Sequence, residues 1–340
     1  VTEPSDSSAE QFSGSVITIG ELVVDWIATK KSADWGVPDT FLRSAGGNAA
    51  NVAYALSRLG MKARLVAKVG DDLHANYLFS GLHSAGIDTT YVSRTTAFAT
   101  AQCYVLTDER DENLFFNWPK PNACHQLTVD DLSVELFEGA LALHATGISL
   151  TVEPRSSAVI EAMRRARAAN LLVSFDAGFP TGEGEKARGQ ALAAMALANV
   201  IKVNLAELFY WLGEAETPCE ISQLIEHAQA LRARTGAQVI LLTLGASGSI
   251  IAAHKNYFAP PIKVDTLAGV GAGDAYVAYV LSRLAQTQHR SSNWPEVLNT
   301  DYFDWAEIAR CANAAGALAT RTVSASQGLP TVHEIEQLLS

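Results

Sequence analysis

Short, β-branched apolar runs alternate along this chain with stretches of helical period, and that alternation restricts the fold more than any other feature. Val16-Ile17-Thr18-Ile19-Gly20 has the length and branching of a buried strand. Asn48–Leu59 follows, with Val52, Leu56 and Leu59 spaced for one helix face and Gly60 as its stop. Ala63–Val69, Leu171–Asp176, Val200–Asn204, Gln238–Thr243 and Ser249–Ala253 read as further strands. Pro154–Ala169, Glu185–Leu197, Ala206–Leu212, Ile221–Thr235, Ala275–Ala285 and Trp305–Thr320 read as helices. Such an order predicts an α/β fold with a mostly parallel sheet covered on both faces and wound by right-handed crossovers.

Two segments break the rhythm. Val23–Arg43 and Ala97–Trp118 alternate apolar and polar residues, as in Ala101-Gln102-Cys103-Tyr104-Val105-Leu106-Thr107, with a charged turn at Asp108–Asn113. They predict antiparallel strands and a hairpin separate from the α/β layers. Val1–Ser15 is polar and rich in Ser and Glu. We expect a disordered tail there, and one domain over 16–340.

Composition excludes several functions. The chain has 340 residues, 48% of them hydrophobic, so it can bury a sizeable core. With 25 basic against 36 acidic residues its formal charge is -11, and it has no Lys/Arg run to follow a nucleic-acid backbone. A phosphate site must then be local, built from backbone N–H groups and a metal ion. Cys103, Cys124, Cys219 and Cys311 are scattered, which predicts four reduced thiols in a cytoplasmic protein. His144 lies in an apolar run, where a histidine of the core or of a site wall is expected. No apolar window reaches the length of a membrane span, and the start lacks the basic and apolar regions of a signal peptide.

Chemistry concentrates in two small-residue turns. Gly271-Ala272-Gly273-Asp274 precedes the apolar helix Ala275-Tyr276-Val277-Ala278. Backbone N–H groups at such a helix start can hold an anion. Asp274 beside them could take a proton from a hydroxyl that attacks phosphorus, which is most of what phosphoryl transfer asks of a protein. Ala45-Gly46-Gly47-Asn48-Ala49-Ala50-Asn51 opens the helix that stops at Gly60, and Asn51 offers a donor and an acceptor to a sugar hydroxyl. Read singly, Asp274 could equally be a helix cap, and Gly46-Gly47 a plain turn capped by Asn48.

Together these turns resemble the PfkB (ribokinase-like) carbohydrate kinase family, over nearly the whole chain. Gly46-Gly47-x-x-x-Asn51 with Arg58-Leu59-Gly60 is similar to the family's N-terminal signature, and Gly271-Ala272-Gly273-Asp274-Ala275 to its C-terminal one. Between them, Asn204-Leu205-Ala206-Glu207 matches an N-x-x-E motif and Thr243-Leu244-Gly245-Ala246-Ser247-Gly248 a T-x-G-x-x-G motif. Asn313-Ala314-Ala315-Gly316 matches the helix on the nucleotide side.

The resemblance implies a three-layer α/β/α fold with a small β-sheet lid from the segments 23–43 and 97–118. It implies ATP as donor and a small sugar as acceptor, with Asp274 as base and Gly271, Ala272 and Gly273 as anion hole. Asp25, Gly46, Gly47 and Asn51 would line the sugar pocket, joined by Lys120 at the end of the lid hairpin. Thr243, Gly245, Gly248, Asn204 and Asn313 would border ATP. Asn204 and Glu207 would organise Mg²⁺ through water, a hard cation that suits such ligands. A monovalent cation such as K⁺ and a homodimer through the lid are compatible with the resemblance, and neither nucleic acid nor membrane is an expected partner.

Two departures bear on the substrate. Leu267-Ala268-Gly269-Val270 lengthens the loop between Asp265-Thr266 and Gly271. Asp176-Ala177-Gly178-Phe179-Pro180 stands where many of these kinases carry Asp-Pro-Asn-x-Arg, and the missing Arg disfavours an acidic sugar such as ketodeoxygluconate. A fructokinase-like enzyme is the leading expectation. A kinase for ribose, ketodeoxygluconate or a nucleoside, and a catalytically weak binding protein of the same fold, remain as alternatives.

Overall fold

The computed structural model describes residues 14–31, 40–109, 113–116, 118–178, 184–286 and 293–340. Its strands are β1 (Ser15–Ile19), β2 (Val23–Ala28), β3 (Phe41–Gly46), β4 (Lys62–Gly70), β5 (Val92–Thr95), β6 (Gln102–Thr107), β7 (Asn113–Phe116), β8 (Ala140–Thr146), β9 (Leu172–Asp176), β10 (Val200–Asn204), β11 (Val239–Thr243), β12 (Ser249–Ala252) and β13 (Asn256–Ala259). Its helices are α1 (Asn48–Arg58), α2 (Leu73–Ser84), α3 (Arg155–Ala168), α4 (Gly184–Leu197), α5 (Leu205–Leu212), α6 (Ile221–Thr235), α7 (Ala272–Gln286), α8 (Trp294–Val297), α9 (Trp305–Ala319) and α10 (Val332–Leu339). The expected tail falls largely outside the described residues, but Ser15 already pairs within β1.

Nine strands form one sheet in the order β13-β12-β11-β10-β9-β8-β1-β4-β5, parallel from β11 to β5 and closed at one edge by the antiparallel β12 and β13. Alternation within each strand sends side chains to two cores. Val200 of β10, and Val239 and Leu241 of β11, meet α1, α2 and α7–α10. Ile201, Val203, Ile240 and Leu242 meet α3–α6. This is the expected three-layer arrangement.

Four strands form the second sheet, in the order β3-β2-β6-β7. Its outer pairs are antiparallel as expected, but β2 and β6 pair in parallel, Asp25 opposite Cys103. The reason is topological: β2 follows β1 and β6 follows β5, and those two parent strands run in the same direction. The lid also extends past Arg43 to Gly46, which pairs with Val23. Among the described residues, no helix is long and apolar enough to cross a membrane.

Candidate active site

The parallel strands end on one edge, and the polar residues gather there. Asp176 ends β9, Asn204 ends β10 and Thr243 ends β11, with Lys202 in register with Asp176 and Asn204 with Thr243. Ligands of open parallel sheets bind outside this carboxyl edge. Two helices complete it. α1 packs on α7, and Asn51 Nδ2 donates to Asp274 Oδ2 across 2.9 Å. The two turns that sequence set 223 positions apart are therefore one site.

Helix α7 starts at Ala272, earlier than expected, so Asp274 lies in its first turn rather than at its cap. Ala275 N is held by Gly271 O at 2.9 Å, and the amides of Ala272, Gly273 and Asp274 come before that first helical bond. Gly271 has φ +84°, and an added Cβ would press on Ala325 at 2.9 Å, so only glycine fits the turn. The longer loop is anchored: Leu267 N and Ala268 N donate to Thr320 O at 2.8 and 3.1 Å, capping the end of α9.

Asp274 is buried, and its carboxyl is pushed up to about 7. Burial is the main cause. The Asn51 bond lowers it, Asp176 and Glu21 raise it, and Lys202 lowers it. A carboxyl poised there is ionised at neutral pH only in part, which suits a group that takes up and returns a proton.

Asp25, on β2, is partly exposed, yet desolvation pushes its carboxyl up to about 7 as well. It lies against the backbone of Gly46, where any added Cβ would overlap the carboxylate. Gly47, not Asn48, caps α1 and brings its backbone against Glu21. The first turn thus joins Asp25 to Asn51. The Asn51 Oδ1 atom is buried without a partner, an acceptor that a bound hydroxyl would satisfy.

The remaining motif residues flank this centre. Asn204 and Glu207 form a reciprocal capping box on α5: Glu207 N donates to Asn204 Oδ1 at 2.9 Å, and Asn204 N to Glu207 Oε2 at 2.7 Å. Thr243 Oγ1 donates to Val203 O at 3.4 Å. Gly245 opens the short turn that ends at Gly248, where an added Cβ would overlap Ala259 O. Asn313 Nδ2 donates to Ala259 O and Pro260 O, both at 3.0 Å, tying α9 to the end of β13. Lys120 is exposed beyond the lid, and its charge reaches Cys124 and His125. His144 is fully buried, with Nδ1 3.0 Å from Ser174 Oγ, and burial brings it down to about 4.

Two features have no counterpart among the sequence motifs. Lys202 holds Asp176 in a buried ion pair at 3.1 Å. Glu21, in the link from β1 to β2, pairs with buried Arg155 at 3.2 Å and accepts from Ser149 at 3.0 Å. Each had one signal in sequence, a charge inside or beside an apolar run.

For a metal, the donor set is partial. Among the described residues no group of three or more acidic, His or Cys side chains could hold an ion. Mg²⁺ keeps several waters and takes phosphate oxygens, so a single carboxylate such as Glu207 fits it through water and not as a cage.

The model of the pfkB family carbohydrate kinases matches residues 13–332. Fructokinase-1 of Zea mays is 32% identical over 328 residues, which covers 95% of this chain and 97% of that protein. The solved fructokinase of Xylella fastidiosa with bound ATP superposes with a TM-score of 0.82 at 28% identity, covering 96% of this chain and 98% of that one. The fructokinase of Vibrio cholerae O395, in its fructose, ADP and calcium ion bound form, gives 0.80 at 25% identity over 96% and 99% of the two chains.

Proposed function

This chain belongs to the pfkB family of carbohydrate kinases and is an ATP-dependent sugar kinase, and we propose that its acceptor is a neutral sugar, fructose first. The observation that carries this reading is the bond between Asn51 and Asp274 at the carboxyl edge of the sheet, with Asp25 against Gly46 beside it. These groups supply acceptors for vicinal hydroxyls. The fructose-bound Vibrio cholerae enzyme supports the choice of sugar. Past Asp176, Ala177 and Gly178 offer no cation to a substrate carboxylate, and Phe179 and Pro180 lie outside the described residues.

In this reading Asp25 and the Oδ1 of Asn51 hold sugar hydroxyls. Asp274 accepts the proton of the reacting hydroxyl as its oxygen bonds to the γ-phosphorus of ATP and the bond to ADP breaks. The amides of Gly271, Ala272 and Gly273 face the phosphoryl oxygens, where fixed dipoles cost no reorganisation. Thr243, Gly245, Gly248, Asn204 and Asn313 border the nucleotide. Asn204 and Glu207 would hold Mg²⁺ through water beside ATP, where the ion would neutralise phosphate charge. A monovalent cation such as K⁺ is part of the same reading. Lys120 adds a cation at the sugar's outer side, and the lid sheet shields the pair from water. We place the enzyme in the cytoplasm, in keeping with its four free thiols. A lid-to-lid homodimer is its proposed assembly, with sugar and ATP as its small-molecule partners.

ATP turnover by purified protein over fructose, ribose, ketodeoxygluconate and adenosine tests the reading. Fructose should have the highest kcat/KM. A preference for the acid or the nucleoside would overturn the substrate.

A further inference from the structure

Strand β10 carries one charged side chain at its centre, Lys202, between the fully buried Ile201 and Val203. Its Nζ lies 3.1 Å from Asp176 Oδ2, 3.3 Å from Asp176 Oδ1 and 4.0 Å from Glu207 Oε2. A Cβ built on Gly273 would stand 3.2 Å from the same nitrogen. The ammonium therefore sits just behind the turn that opens α7, and a side chain at position 273 would press on it.

A buried ion pair of this kind is weak evidence of stability, since apolar residues of like volume often serve as well. Its place suggests another purpose. Lys202 lies behind the turn where phosphate is to bind, held in place by two carboxylates. We propose that Lys202 is a positioning residue of phosphoryl transfer: clamped by Asp176 and Glu207 behind Gly273, it fixes the turn Gly271–Asp274. The inference rests on the kinase reading above. A phosphoryl group in flight spreads negative charge over its oxygens, and a turn already held in place presents its amides to that charge without reorganising.

Two variants test this. Lys202→Met with Asp176→Asn removes both charges of the pair, and Lys202→Gln removes the lysine's charge while keeping a hydrogen-bond donor on a side chain one carbon shorter. Each is first checked for native melting and for ATP binding. In whichever variant folds, kcat should fall by about 10²-fold, the scale of a lost transition-state contact, with the sugar KM within about threefold of wild type. A folded variant with wild-type kcat, or one whose loss lies in the sugar KM, would overturn the proposal. Wild-type protein is the control. If it turns over no sugar, the kinase reading fails; if it is active and the variants match it, only the role of Lys202 falls.

Discussion

The side chain of Asn51 donates through Nδ2 to Oδ2 of Asp274 at 2.9 Å and keeps its own Oδ1 buried without a partner. One amide thus braces the carboxylate while its own acceptor is left unsatisfied. Asn51→Ala should raise the sugar KM and move the acid limb of kcat against pH upward, because the lost bond favours the ionised carboxylate. A pH–rate profile reads both. An unchanged limb would separate Asn51 from the base.

Burial holds Asp274 and Asp25 each at about 7. A base works only when deprotonated, so activity is lost as pH falls through that value and gained as it rises. We expect kcat/KM for the sugar to climb about tenfold per pH unit below the limb and to level off above pH 8. A profile flat from pH 5 to 8 would show that neither carboxyl titrates in the active range.

Glu207 combines two roles that one substitution can part. Its Oε2 closes the capping box on Asn204 N, and glutamine can do the same. Glu207→Gln should keep the melting temperature near wild type while raising the Mg²⁺ concentration needed for half-maximal rate. An unchanged Mg²⁺ dependence would leave Glu207 with its contacts to Asn204 and Lys202 alone.

Asp25 belongs to the lid and lies against Gly46. Asp25→Ala should raise the sugar KM by about tenfold or more, the scale of a lost hydrogen bond to a charged group, with the KM for ATP nearly constant. Equal changes in both constants would place Asp25 outside the sugar side of the transfer.

The sequence announced the sheet and its helices wherever apolar period was strong, as in β10, β11 and α6, whose ends it set within a residue or so. It missed β8, whose Ala140–Thr146 run is built of Ala and Leu rather than β-branched residues, and α2, in which His74, Asn76, Tyr77 and Gly81 blur the period. The parallel pairing of β2 with β6 was not legible either, because it depends on contacts between residues 78 apart, such as Asp25 and Cys103. In the site, glycine-rich turns marked Asn51 and Asp274. Lys202 and the Glu21–Arg155 pair carry no motif, since their meaning lies in what surrounds them: Asp176 and Gly273 for one, Ser149 and Cys124 for the other.

We propose above that Asp274 takes the proton of a sugar hydroxyl as ATP gives up its terminal phosphoryl group. The most direct test is single-turnover transfer from ATP to fructose by wild type and by Asp274→Ala, at pH 8 with saturating substrates. The account predicts a loss of roughly 10²- to 10⁴-fold in rate, the usual size of a general-base effect, in a variant that melts normally and still binds ATP. A folded Asp274→Ala protein that transfers phosphate at close to the wild-type rate would contradict it.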